Sequence, residues 1–369
     1  MECVSCSPVR SESIADFISR HFGDRRLPIA GGIELTSRCN LRCIHCYGAP
    51  CRNDRTMTTN EVTRILDQVV DEGTLHVFFT GGEAMLRPDF EDIYIYARSK
   101  GLLVSVLSNA TLITKRIVNV FLDCPVSLVS ITMYGRTEDT YETVTAVRGS
   151  FKRFISGIEL LKRNSIQFEL KAVGMRQNLH EIMQIREFAK QLGVSFRYSF
   201  RLRPMNDGTP KPLDYRITAD EAFWFDVNDE DRRTFWERVA FDTSEQRVGT
   251  RLKDKCLYLC HPSQQSFFIS AEGILRPCTR QRLYGYDLLR GSFRDGWNHF
   301  ALEFVNKKAS DKFPCLTCSS FRYCEQCTAD FELENGDPEV PIAFVCEIAH
   351  RRKALIDSIR FKGLPAGIL

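Results

Sequence analysis

Three cysteines stand close together in the stretch Thr36-Ser37-Arg38-Cys39-Asn40-Leu41-Arg42-Cys43-Ile44-His45-Cys46-Tyr47. A spacing of three residues and then two lets one loop bring three thiolates to a common point. Thiolates are soft ligands that suit zinc or an iron–sulfur cluster. A closed zinc site wants a fourth protein ligand, and His45 or Cys51 is near enough in sequence to supply one. Three thiolates with no fourth instead suit a cubane cluster whose remaining iron stays open to another molecule.

Eight more cysteines come late in the chain: Cys256, Cys260, Cys278, Cys315, Cys318, Cys324, Cys327 and Cys346. Eight thiolates make two complete sets of four. Ala271-Glu272-Gly273-Ile274-Leu275-Arg276-Pro277-Cys278 reads as a small hairpin that delivers one ligand. Two structural zinc sites built from the same eight thiolates are the competing reading. Of the other four cysteines, Cys3 and Cys6 form a pair near the start, best read as free and mobile. Cys51 lies just past the first loop, and Cys124 follows a helix and reads as packed in the core.

These side chains need a scaffold, and the sequence between them alternates. Strands are expected over residues 32–36, 76–80, 103–107, 127–132, 168–173 and 195–198. Helices are expected over 61–71, after Asp89, and over 112–122 and 151–163. In the first of these, Val62, Ile65, Leu66, Val69 and Val70 share one face and Gly73 is a stop. A further helix opens at Asn178, with Glu181 three residues on in a capping-box pattern, and ends at Gly193. Six strands alternating with helices imply a parallel sheet, here a partial (β/α)6 barrel, with active groups at the carboxyl ends of its strands. The alternation stops after Arg203, in a Pro-rich, charged and aromatic stretch. From Lys253 onward the cysteines dominate and regular elements are weakly signalled.

The chain has 369 residues, enough for one large domain and a smaller one. Fifteen cysteines in a chain with no secretory signal at its start point to metal ligands in a reducing cytoplasm, not to disulfides. No apolar run reaches membrane-spanning length. A net charge of +3 argues against a nucleic-acid-binding chain.

The first cysteine loop resembles the signature of the radical S-adenosylmethionine superfamily, and it stands where that family has it, after strand one. The resemblance implies a 4Fe–4S cluster held by Cys39, Cys43 and Cys46. Its open iron would bind S-adenosylmethionine, and reductive cleavage would give a 5′-deoxyadenosyl radical that takes hydrogen from an unreactive C–H. The cofactor carries that chemistry, and the protein orients and shields it. Further matches follow in order. Thr80-Gly81-Gly82-Glu83 resembles the family's motif for the methionine ammonium, with glycines permitting close backbone approach and Glu83 accepting from the cation. Ser108-Asn109-Ala110 stands at the end of strand three, where the family often has a polar residue and Asn before Gly. Ser130 and Thr132 are candidate ribose contacts, or else small polar residues on a buried strand. His45 and Tyr47 complete the cofactor-contact set, and Lys171 and Val173 lie where strand five nears the adenosine.

The later cysteines look like the SPASM extension of peptide-modifying radical enzymes, with two residues instead of the usual three between Cys324 and Cys327. Carried over by position, Cys256, Cys260, Cys278 and Cys327 would hold one auxiliary 4Fe–4S cluster, and Cys315, Cys318, Cys324 and Cys346 another. The resemblance divides the chain into an N-terminal segment (1–31), a radical barrel (32–215), a linker (216–252), an auxiliary-cluster domain (253–352) and a tail (353–369). It implies three 4Fe–4S clusters and a cytoplasmic enzyme that matures a ribosomally made peptide by cross-linking or another oxidation. Its partners would be a separate leader-recognition protein and a flavodoxin or ferredoxin as reductant, with neither nucleic acid nor membrane. Thr279 follows Cys278 where sulfatase-oxidising relatives place an Asp base, which argues against that branch. Modification of a tetrapyrrole or small molecule, and a zinc scaffold without catalysis, are the alternatives.

Overall fold

The computed structural model describes residues 26–48, 55–241, 254–258 and 264–361, so Cys3, Cys6, Cys51 and Cys260 lie outside the described residues. The six expected strands are present as β1 (Ala30–Thr36), β2 (His76–Gly81), β3 (Leu103–Ser108), β4 (Leu128–Thr132), β5 (Phe168–Val173) and β6 (Phe196–Ser199). They pair in chain order and every pairing is parallel. Parallel neighbours need crossovers, and the helices supply them. These are α1 (Thr59–Asp71), α2 (Phe90–Ser99), α3 (Lys115–Asp123), α4 (Glu138–Thr145), α5 (Ser150–Arg163) and α6 (Ile182–Leu192).

Local chemistry sets the helix starts. Thr58 accepts from the Glu61 amide while Glu61 reaches back to the Thr58 amide, a complete capping box ahead of α1. Thr114 caps α3 and Thr137 caps α4 in the same way, without the reciprocal arm. The buried face of α1 is Val62, Ile65, Leu66 and Val69.

The strands alternate. Ile33 and Leu35, Val77 and Phe79, Val104 and Val106, Val129 and Ile131, and Phe168 and Leu170 all enter one core with the helices. The alternate residues therefore share the opposite face of the sheet. There the register sets Glu34 beside Thr80, Leu107 beside Ser130, Ser130 beside Glu169, and Lys171 between Thr132 and Arg197.

Among the described residues the sheet has nine strands, not six. A hairpin, β7 (Ser266–Ile269) and β8 (Ile274–Arg276), docks on the free side of β1, and β9 (Tyr286–Asp287) follows. The order is β6-β5-β4-β3-β2-β1-β7-β8-β9, with β7 parallel to β1 and the last two pairings antiparallel. Phe267, Ile269, Leu275, Phe293 and Trp297 join the same core as the first six strands. Each buried side chain of this size stabilises by roughly 1.5–3 kcal/mol. The expected hairpin thus exists, and it also extends the sheet.

Helices also lie where regular structure was not expected, four of them of eight residues or more. Helices α7 (Ala219–Asn228) and α8 (Glu230–Phe241) occupy the expected linker, and α9 (Thr328–Asn335) and α10 (Ala343–Phe361) follow the last cysteine run. α10 crosses residue 352, so the expected tail is helical through 361. Phe225 of α7 and Ile348 of α10 share a core with Phe200 and Ile182, which joins the extension to the end of the parallel sheet. A separate core in the extension contains Tyr258, Phe304, Phe313, Cys315, Phe331 and Val345. No described helix is long and apolar enough to cross a membrane.

One capping assignment is corrected. Asn178 and Glu181 do not cap α6, because both side chains are engaged elsewhere. Asn178 donates to the carbonyls of Tyr134 and Val173, each at 3.0 Å, and accepts from the Met175 amide at 2.8 Å. Glu181 accepts from the Thr137 and Thr140 hydroxyls at 2.7 and 2.8 Å and from the amides of Arg136 and Thr137. It therefore anchors the start of α4.

Candidate functional site

The loop after β1 carries Cys39, Cys43 and Cys46, and backbone bonds tie it down. The Arg42 amide donates to Thr145 and the Ile44 amide to Val144, at the end of α4, each at 3.0 Å. The loop after β2 packs directly against its start. The Gly82 amide donates to the Thr36 carbonyl and the Glu83 amide to the Arg38 carbonyl, each at 2.9 Å. A Cβ on Gly81 would stand 2.2 Å from the Thr36 oxygen, and one on Gly82 would stand 2.3 Å from the Arg38 oxygen. The close approach that needs these glycines is thus between two chain segments, whereas the sequence reading assigned it to a ligand.

Glu83 is the buried anion of the site, 1% exposed. Its carboxylate accepts from the Asn109 amide at 2.8 Å and from the Ser108 hydroxyl at 3.1 Å. Burial pushes its carboxyl up to about 7, with those hydrogen bonds opposing the rise. Among the described residues it forms no ion pair, so its partners are all neutral. Asn109 extends the connection: its side chain donates to Asn40 at 3.0 Å and accepts from the Thr111 amide and hydroxyl. Ala110, where the resemblance expects Gly, has φ +62 and is fully buried. A non-glycine residue there is strained.

The three thiols share one environment. Burial, and then the neighbouring Cys46 charge, push the Cys43 thiol up to about 12, while the Tyr134 hydroxyl donates to it and opposes the rise. Thiols held protonated in this way are relieved when a metal replaces the protons. His45 is buried, with its ring 5.4 Å from that of Tyr134. Burial lowers it to about 4, so it is neutral, and among the described residues its Nδ1 has no partner. Tyr47 is exposed and lies under the Arg203 guanidinium at 3.8 Å. Among the described residues no three His, Cys, Asp or Glu side chains gather tightly enough for a single metal ion.

Ser130 and Thr132 lie on the face shared by Glu34. The Ser130 hydroxyl is committed to Glu169, at 2.8 Å. Lys171, half-buried beside Thr132, is held down to about 8 by burial. Val173 lies two residues beyond it on the same strand face.

The extension gathers its cysteines in two places. Cys315, Cys318, Cys324 and Cys346 lie within one another's fields; burial first, and then the charges of these neighbours, raise the thiols of Cys315, Cys324 and Cys346. Cys278 and Cys327 form the second group: burial first and then the Cys327 charge raise Cys278. Arg280 donates to Cys327 and is itself held by Asp330, which also accepts from Arg201 at 2.7 Å. Cys256 is buried with the Lys308 ammonium 3.9 Å from its sulfur, and no interaction among the described residues joins it to Cys278 or Cys327. Cys260, its expected companion, lies outside the described residues.

Tyr134, Arg203, Arg280 and Asp330 were not read as site residues. Glu34, Glu169 and Lys171 had a legible signal, since each is a charge alternating with apolar residues inside a buried strand.

Residues 33–189 match the radical SAM superfamily. An AdoMet-dependent heme synthase of Methanosarcina barkeri is 27% identical over 326 residues, which is 82% of this chain and 92% of that protein. The mycofactocin maturase MftC of Mycobacterium tuberculosis is 24% identical over 347 residues, covering 89% of this chain and 85% of the relative. The crystal structure of Streptococcus suis SuiB bound to the precursor peptide SuiA has the same fold. It aligns with a TM-score of 0.69 at 16% identity, over 94% of this chain and 84% of SuiB.

Proposed function

We propose that this chain, a member of the radical SAM superfamily and its SPASM subgroup, modifies a ribosomally made peptide at an unactivated C–H position. The observation that carries the radical reading is Glu83. A buried carboxylate with only neutral partners, joined through Asn109 to the cysteine loop, is a fitting receptor for a ligand ammonium.

The donor set fits the implied cluster. Cys39, Cys43 and Cys46 would hold it, and neutral His45 lies against Tyr134. When bound, the cluster and S-adenosylmethionine supply a carbon radical able to take hydrogen from an unreactive C–H. The chain's own contribution is to place and shield that chemistry. Glu83 accepts the ammonium, Ser108 and Asn109 hold Glu83, and Tyr134 donates to Cys43. The two cysteine groups of the extension would hold two further clusters that take up electrons, giving three in all.

The choice of peptide rests on the likeness to MftC over most of both chains and on the cysteine-rich extension. A leader-recognition protein and a small electron donor would complete the system. The long match to a heme synthase supports a second reading, a tetrapyrrole substrate. Anaerobic incubation of reconstituted enzyme with reductant and S-adenosylmethionine separates the two. One arm adds the precursor peptide encoded beside the gene, the other a tetrapyrrole, and each is read by mass spectrometry. A mass change in the peptide is expected. Turnover of the tetrapyrrole alone would replace the peptide reading.

A further inference from the structure

Three guanidinium groups meet between the first cysteine loop and the hairpin. Arg282 donates to the Thr279 carbonyl at 3.0 Å, and Arg203 donates to the same oxygen at 3.3 Å. Arg276 donates to the Arg282 carbonyl at 2.8 Å. Arg203 also stacks on Tyr47, the residue after Cys46. Thr279 is the residue after Cys278. The trio therefore bridges the first cysteine loop and the hairpin that carries Cys278.

The group is short of negative charge. None of the three arginines forms an ion pair among the described residues, and the Nε atoms of Arg276 and Arg282 are buried without a partner. The nearby carboxylates are Glu34 and Glu272. Both act on the trio, Glu34 on Arg282 and Arg276 and Glu272 on Arg276, so three guanidinium groups face two carboxylates, one of which also accepts from the Ser270 hydroxyl at 2.6 Å. Burial first, and then the fields of Arg276 and Arg203, hold Arg282 down to about 10 against the opposing pull of Glu34. Like charges brought together with some of their buried donors unpaired are costly. An anion that accepts from them in a planar fork removes that cost.

We propose that Arg203, Arg276 and Arg282 form a carboxylate-binding subsite for the substrate. For the kind of molecule this rests on the peptide reading, and it adds the group that the peptide must present: an Asp or Glu side chain, or a C-terminal carboxylate. The position fits a substrate, because a group held here lies beside Tyr47 and thus beside the cysteine loop. The residue that follows the hairpin cysteine contributes only a neutral backbone carbonyl to this cationic cluster.

Phenylglyoxal labelling of the cluster-loaded protein, mapped by mass spectrometry at Arg203 and Arg282, tests the subsite. Saturating S-adenosylmethionine is present in every probe arm and no precursor is added, so the outcome does not depend on whether a peptide is modified. Three probes are compared: N-acetyltyrosine for an α-carboxylate, N-acetylglutamic acid α-amide for a side-chain carboxylate, and N-acetyltyrosinamide as the neutral control. At least one carboxylate probe should slow labelling saturably, by about threefold at twice its Kd, while the neutral amide does not. Which acid protects identifies the source of the carboxylate. Equal rates with all three probes overturn the proposal. A parallel run without S-adenosylmethionine or probe gives the unshielded rate, and the proposal also falls if the cofactor alone already shields both arginines, because the trio then holds the cofactor's own carboxylate.

Discussion

Asn109 faces two ways: its backbone amide donates to the Glu83 carboxylate at 2.8 Å, and its side-chain amide donates to Asn40 at 3.0 Å. A single residue at the end of β3 thus fixes the buried anion relative to the loop that carries Cys39. Displacing either partner would move the other.

The ionisation of Glu83 should govern cofactor binding. Burial raises its carboxyl to about 7, and only the carboxylate pairs with an ammonium. Affinity for S-adenosylmethionine should be full above that pH and fall below it. Glu83→Gln should weaken binding by about 1.5–3 kcal/mol at pH 8 and flatten the pH profile. In folding, a carboxyl raised from 4.5 to about 7 contributes stability that is full below 4.5 and lost as pH rises through 7. Calorimetric titration from pH 6 to 8.5 checks the binding, and a Gln variant that binds as tightly as the native enzyme at pH 8 refutes the assignment.

Replacing Cys39, Cys43 and Cys46 together by Ala should abolish S-adenosylmethionine cleavage and remove roughly a third of the iron, by ligand count. The extension's cysteines belong to other elements and should keep theirs. Iron analysis and an assay of 5′-deoxyadenosine formation decide, and persistent cleavage in the triple variant would end the radical reading.

Asp330 holds Arg201 and Arg280, and Arg280 in turn donates to Cys327. Asp330→Asn should destabilise the protein by roughly 1–3 kcal/mol, since it removes the anion shared by the partly exposed Arg201 and Arg280. Arg280→Gln should be milder and should shift the reduction potential or spectrum of one auxiliary cluster alone. Electron paramagnetic resonance with potentiometry reads this, and unchanged signals in both variants would separate Arg280 from any cluster.

Glu181 is another buried carboxylate, opposite in behaviour to Glu83. Burial acts to raise it, but bonds from Thr137, Thr140 and the backbone at Arg136 and Thr137 outweigh that and hold it below its ordinary value. Its contribution to stability is therefore present above 4.5 and lost as pH falls through the lowered value. Glu181→Ala should cost roughly 2–4 kcal/mol at pH 7. Thermal denaturation at pH 7 and pH 4 should show the difference shrinking in acid.

Sequence alone located the six parallel strands because each is a short β-branched or apolar run bounded by turn residues. It located the first cysteine loop because three-and-two spacing limits what thiolates can do. It missed α7 although Thr218-Ala219-Asp220-Glu221 is a full capping box. The aromatic and charged mixture after it hides the apolar face that Ala222 and Phe225 bury. It missed the docking of β7 because nothing local says which strand a distant hairpin will join. The Asn178–Glu181 pattern misled because both side chains find better partners far away in sequence. Arg203 and Thr279 meet only in three dimensions.

The pairing of β7 with β1 has a consequence for how the chain is made. β1 emerges from the ribosome long before its hydrogen-bonding partner Ser266–Ile269, which follows only after the whole of β2 to β6 has been synthesised. Until then Ala30–Ile33 is an open strand edge next to the cysteine loop, and open edges pair with other chains. Contacts this distant in sequence also form slowly. Newly made chains should therefore be most prone to aggregate before residue 269 is available. A variant truncated ahead of β7 should associate through β1, however well its first six strands fold.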